Sequence, residues 1–137
     1  MKTSFSYEVK PSKIFKFVRR PIALVDFWSD RFNRFIRYSL IVDTGADYTL
    51  FPKSISSDLG IDLKKDCFQY ESRGIGGKEK VYIVKRKVAI KLGKTDRKIP
   101  IGFLGHDGIP PFLGRHECLD VFRLTFENFT TTFSTED

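Results

Sequence analysis

The apolar run Leu40-Ile41-Val42 leads directly into Asp43-Thr44-Gly45-Ala46-Asp47. A carboxylate where a buried strand gives way to a tight turn, followed by a small hydroxyl and a glycine, is placed for acid–base work on a polar group that must come close to the backbone. Two carboxylates facing one water can divide that work. At a separation of about 3 Å both cannot ionise, so they share a proton, one acting as base and the other as acid, and they titrate as a pair. The segment occurs once in 137 residues. One chain therefore supplies one carboxylate, and it either borrows the second from a partner or does not do this chemistry.

The elements that must position Asp43 read as β-structure. Ser4 to Val9 and Ile14 to Val18 nearly alternate, and Pro21 to Phe27 is a compact apolar run suited to a buried strand. Ser29 to Asn33 supplies turn chemistry before a strand from Phe35 to Val42. Pro52 to Ile61, with Pro near its start and Gly60 near its end, predicts a short helix with a glycine stop. Phe68 to Ser72 and Val81 to Ile90 predict a long hairpin with a glycine-rich tip, and a further strand runs from Lys98 to Leu104. Gly105 to Pro111 is a loop into Phe112-Leu113-Gly114-Arg115. A short helical stretch from His116 to Phe122 and strands at Phe122 to Phe126 and Thr130 to Phe133 complete the chain.

The length fits one domain, 1–137, and is too short for two lobes each carrying an aspartate loop. Phe is abundant, 14 residues, which suits β-structure and contact surfaces. No apolar run reaches membrane-spanning length, and lysines interrupt the start where a secretion signal would lie, so a cytoplasmic protein with no membrane partner is expected. Cys67 and Cys118 are too few for a disulfide framework and lack metal-ligand spacing; both read as reduced packing residues, and His106 and His116 as loop and helix-start residues. No metal or cofactor is called for.

The net charge of +7 is unevenly placed: residues 1–42 hold nine Lys/Arg against three Asp/Glu, and residues 67–98 ten against three. The basic, aromatic-interleaved run Lys13 to Arg20 is a candidate contact for nucleic acid or acidic partners. Its pattern favours a solvated strand face with the apolar residues turned inward, which disfavours nucleic acid as a partner.

Four pieces in order and spacing, namely Leu40 to Pro52, the helix ending at Leu59-Gly60-Ile61, the tip Gly74-Ile75-Gly76-Gly77 and Phe112-Leu113-Gly114-Arg115, together resemble the retropepsin family. These are single-domain aspartic proteases of the retroviral type, and the resemblance is to a cellular, prokaryotic-type member. It implies an all-β, closed-barrel fold of the acid-protease type with one or two short helices. It implies an aspartic endopeptidase, active as a homodimer on peptide or protein substrates, with water activated between two Asp43 carboxylates, one per chain.

The same resemblance gives each residue a role. Thr44 would bond across to the opposite loop and hold the two acids coplanar; Gly45 leaves room for water and substrate; Ala46, where pepsin-like lobes carry serine, leaves the dyad one hydrogen bond poorer. Asp47 and Arg115 match a buried structural ion pair, and Leu113 and Gly114 a second supporting loop. Gly74, Ile75, Gly76 and Gly77 match a flap tip, here followed by Lys78-Glu79-Lys80 where the viral pattern is apolar. Tyr48 either lines a substrate pocket or fills the core.

In the viral pattern terminal strands of two chains interleave, and Phe126, Phe129 and Phe133 are available for that contact. Residues 1–20 read as a flexible basic extension, and the basic N-terminal forty residues, longer than the viral pattern, could replace or cover that contact or be trimmed by the enzyme itself. The alternative reading is a non-catalytic module of the same fold that binds peptide or nucleic acid.

Overall fold

Alternation of apolar and polar side chains writes the two longest strands around the aspartate: Ile22–Ser29 buries Ala23, Val25 and Phe27 while Leu24 faces out, and Arg34–Val42 buries Leu40 and Val42. The computed structural model describes residues 1–74 and 77–136. In chain order its strands are β1 (Lys2–Ser6), β2 (Glu8–Ser12), β3 (Lys16–Arg20), β4 (Ile22–Ser29), β5 (Arg34–Val42) and β6 (Thr49–Phe51), then helix α1 (Ile55–Leu59). β7 (Cys67–Gly74), β8 (Gly77–Val84), β9 (Val88–Leu92), β10 (Thr95–Ile99), β11 (Ile101–Leu104) and β12 (Phe112–Leu113) follow. A 3-10 turn at Leu119–Val121 precedes β13 (Arg123–Glu127) and β14 (Thr130–Ser134).

The protein is mostly β. Nine strands make the main sheet in the order β10-β9-β4-β5-β12-β6-β11-β8-β7; β1-β14-β13 form a second sheet and β2-β3 a two-stranded ribbon. The main sheet ends at β10 on one side and β7 on the other, so among the described residues no sheet closes on itself and the expected closed barrel is not seen. Its edge strands belong to hairpins, β9–β10 and β7–β8, each of which spends its hydrogen bonds on its own neighbour.

Aromatic side chains fill the core edge to face. The Phe27 and Phe51 ring centroids lie 4.9 Å apart, Tyr38 and Phe51 5.6 Å, and Phe51 stacks on Phe103 at 5.9 Å. Each fully buried phenylalanine contributes roughly 1.5–3 kcal/mol through removal of apolar surface from water. Phe133, offered by the sequence as a dimer-contact residue, belongs to this core, whereas Phe126 and Phe129 are exposed.

Several boundaries differ from the sequence reading. Ser4 to Val9 is two strands, because the chain leaves the β14 partner at Ser6 and begins the ribbon at Glu8. Val81 to Ile90 breaks at Lys85-Arg86-Lys87 between β8 and β9, and Lys98 to Leu104 breaks at Pro100, which has no N–H for a ladder. The helix within Pro52 to Ile61 is confined to Ile55–Leu59 and stops at Gly60 in the left-handed conformation, φ 71°. Of the helical stretch at His116 to Phe122, only the 3-10 turn forms. Residues 1–20, read as a flexible extension, form β1, β2 and β3. In the ribbon, Val9, Phe15 and Phe17 are exposed and not turned inward, and β2 and β3 pair only with each other among the described residues. No described helix is long and apolar enough to cross a membrane.

Candidate active site

The strands on either side of the Asp43 loop, β5 and β6, do not pair with each other. β12 runs between them, parallel to β5 (Leu113 opposite Val42) and antiparallel to β6 (Phe112 opposite Leu50). The Asp43 N–H donates to the Leu113 carbonyl at 3.1 Å, and the Ile41 N–H to the Pro111 carbonyl at 3.0 Å. The loop is thus carried by chain seventy positions away, and Leu113 and Gly114, both buried, form its floor.

Gly114 must lack a side chain. A Cβ there would lie 2.2 Å from the Tyr48 carbonyl carbon and oxygen. Its N–H donates to the hydroxyl of Thr49, which is fully buried, at 3.1 Å. Thr49 was not among the residues singled out in the sequence; its signal was a hydroxyl in an otherwise apolar strand, Thr49-Leu50-Phe51.

Within the loop, Asp43 is half-buried and its Oδ1 accepts the Gly45 N–H at 2.9 Å. A Cβ on Gly45 would approach that oxygen to 3.2 Å, so a glycine keeps the acid uncrowded. The Ala46 N–H closes the turn on the Asp43 carbonyl at 3.1 Å. Thr44 is exposed, and its hydroxyl makes no hydrogen bond among the described residues. The loop therefore presents a carboxylate and a free hydroxyl side by side to solvent.

Beyond the loop, the Arg115 N–H donates to the Ala46 carbonyl at 3.0 Å and the His116 N–H to the Asp47 carbonyl at 2.8 Å. The Arg115 guanidinium reaches Asp47 Oδ1 at 3.1 Å. The pair is not buried as the resemblance implied: the side chains are 48% and 82% exposed, because nothing among the described residues covers this end of the loop.

Tyr48 is half-buried, and burial first and the neighbouring Asp47 second raise its hydroxyl pKa above the ordinary value. With Tyr70, Ile83, Pro100, Ile101 and His116 it lines a cavity of about 280 Å³. Tyr70 and Ile83 come from the β7–β8 hairpin, so loop and hairpin share one apolar recess. In that hairpin Gly74 pairs with Gly77; Ile75 and Gly76 lie outside the described residues. Lys78, Glu79 and Lys80 are exposed, and Glu79 Oε1 lies 2.8 Å from His106 Nε2. Both cysteines are free and buried. Among the described residues no group of three or more His, Cys, Asp or Glu is placed to hold a metal.

Residues 32–116, more than half of the chain, match the model of the family described as aspartyl protease. The chain belongs to the aspartyl protease family. The matched segment contains the Asp43 loop, the β7–β8 hairpin and the β12 passage that braces the loop. Comparison with curated proteins finds no match. Among solved structures, the crystal structure of a retropepsin-like aspartic protease from Rickettsia conorii is similar, with a TM-score of 0.65 over 96% of this chain and 98% of that one, at 16% identity. That likeness shows that this aspartyl protease has a retropepsin-like fold.

Proposed function

We propose that the chain is a single-domain aspartic endopeptidase that works as a homodimer, with one Asp43 from each protomer at the two-fold axis. The observation that carries this is the loop itself: a half-buried Asp43 held by Gly45, beside a Thr44 hydroxyl with no hydrogen bond among the described residues. Two such loops facing each other give each threonine the opposite loop as a partner and bring the carboxylates within sharing distance of one proton. An isologous contact supplies both at once.

In that dimer one carboxylate takes a proton from water as the water oxygen attacks the peptide carbonyl carbon. The other gives its proton to the carbonyl oxygen. The resulting diol collapses when the carboxyl that took the water proton gives it to the amide nitrogen, the other carboxylate takes a proton from a diol hydroxyl and the carbon–nitrogen bond breaks, which leaves the pair again sharing one proton. β7 and β8, from Phe68 to Ile83, act as flaps over an extended peptide whose backbone adds to the sheet as a strand. The recess around Tyr48 takes an apolar side chain of the substrate, and the charged Lys78-Glu79-Lys80 stretch favours polar or acidic flanking residues.

The second reading, a binding module of the same fold that cleaves nothing, draws on the exposed basic ribbon of β2 and β3. Asp43→Asn separates the two. Peptide cleavage lost in the variant and present in the parent supports the protease; a variant as active as its parent ends that reading.

A further inference from the structure

We propose that the β2–β3 hairpin is an arm that packs on a second copy of this chain and extends the dimer contact beyond the Asp43 loops. The inference rests on the homodimer proposed above.

Its first support is a mismatch between the ribbon's surface and its surroundings. Val9 is 59% exposed, Ile14 82%, Phe15 70% and Phe17 52%, four large apolar side chains within nine residues. A two-stranded hairpin is marginal on its own in water and needs a surface to lie on. Among the described residues it meets a small one: the Arg19 guanidinium sits 4.3 Å over the Phe129 ring, and Tyr7 meets the same ring edge to face. The tip is nonetheless built, because the Ser12 hydroxyl accepts the Ile14 and Phe15 N–H groups at 3.3 and 3.1 Å and fixes the turn that displays them.

Position selects the occupant. β3 ends at Arg20, the Pro21 carbonyl accepts the Val42 N–H at 2.9 Å, and Ile22 is paired with Ile41. The arm is therefore rooted at the end of the main sheet where Asp43 stands. A two-fold axis that joins two Asp43 loops brings both roots to the same axis. Five residues per strand give the arm a length of roughly 17 Å, against a radius of gyration of about 14 Å for a domain of this size. It is long enough to lie across the neighbouring protomer.

Charge points the same way. Residues 8–20 hold five Lys/Arg against one Glu, whereas residues 116–136 hold four Asp/Glu against one Arg. A basic arm on one protomer and an acidic C-terminal segment on the other are complementary, and the symmetry repeats the match.

The test compares the parent with a Phe15→Asp/Phe17→Asp variant by sedimentation across a concentration series, with circular dichroism as the folding control. The expected result is a dimer whose Kd rises at least tenfold in the variant. A photo-reactive phenylalanine analogue at position 14 of the otherwise unchanged chain should also cross-link to a species of twice the 15.9 kDa chain mass, and this arm decides the matter if the double variant does not fold.

The proposal is overturned by an unchanged Kd, by a parent that stays monomeric, or by the absence of a self-cross-link. It is equally overturned if the parent binds RNA or anionic vesicles through these residues while dimerisation is unaffected. Cleavage assays keep the two ideas apart. Asp43-dependent cleavage with an arm-independent dimer sinks the arm alone, and an arm-dependent dimer that cleaves nothing sinks the protease alone.

Discussion

The Gly114 N–H donates to the buried Thr49 hydroxyl across 3.1 Å, joining the short strand beneath the Asp43 loop to the strand that leaves it. Thr49→Val keeps the shape and removes the acceptor, leaving a buried N–H unpaired. The expected cost is about 1–3 kcal/mol in urea unfolding, with Thr49→Ser retaining most of the stability. Equal losses for Val and Ser would mean that the methyl group, not the hydrogen bond, matters.

Gly114→Ala tests the crossing with Tyr48. A Cβ placed 2.2 Å from the Tyr48 carbonyl group can be accommodated only by moving backbone against backbone. A loss of about 3 kcal/mol or more is expected, accompanied by loss of cleavage, since the displaced segment is the one bracing Asp43. A variant with the parent's thermal midpoint would show that the crossing is looser than described.

Alkaline pH should destabilise the fold through groups that burial keeps neutral. Burial raises Cys118 from 9.0 to about 12, against a smaller opposing effect of its hydrogen bond with Thr49, and raises Cys67 to about 11. Tyr38 is raised from 10.0 to about 12 by burial first and then by Asp58. In the unfolded chain the thiols ionise near pH 9 while the folded chain holds their protons, so their stabilisation is complete below pH 9 and is lost as pH rises toward 11–12. Thermal melts from pH 7 to 11 should show a falling midpoint above pH 9, with a shallower fall in Cys118→Ala.

Asp47 and Arg115 should couple weakly in the isolated chain. With side chains 82% and 48% exposed, a double-mutant cycle is expected to give about 0.2–1 kcal/mol, reduced further by salt. Strictly additive single-mutant losses at low salt would argue against the contact.

Tyr48→Ala should change substrate choice more than turnover. Enlarging the recess shared with Tyr70 and Ile83 is expected to shift kcat/KM about tenfold toward peptides with a bulkier apolar side chain at the position it receives. A uniform fall across all peptides would place Tyr48 in the core and not in the pocket.

Much of this architecture was legible in the residues. The apolar strand into Asp43, the glycine stop at Gly60 and the β13–β14 turn followed from periodicity and turn chemistry, because those signals are local. The break within Ser4 to Val9 was not, since near-alternation continues across it and only the sheet partner changes, whereas the three consecutive cations Lys85-Arg86-Lys87 carried a local signal that the strand reading passed over. Thr49 escaped notice because its value depends on Gly114, far along the chain. The exposure of Phe15 and Phe17 contradicted the alternation rule, which gives the periodicity of a strand but not whether anything lies against it. The single Asp43 loop was evident from the start; the way β12 wedges under it was carried only by the Phe112-Leu113-Gly114-Arg115 resemblance.

The wedge of β12 also sets the order of assembly. The Asp43 N–H donates to the Leu113 carbonyl, so the loop cannot take its final form until Leu113, seventy positions on, has been made. Contacts this distant in sequence are entropically late in folding. On the ribosome the nascent chain therefore carries Asp43 without its Leu113 brace until the β12 segment has been made.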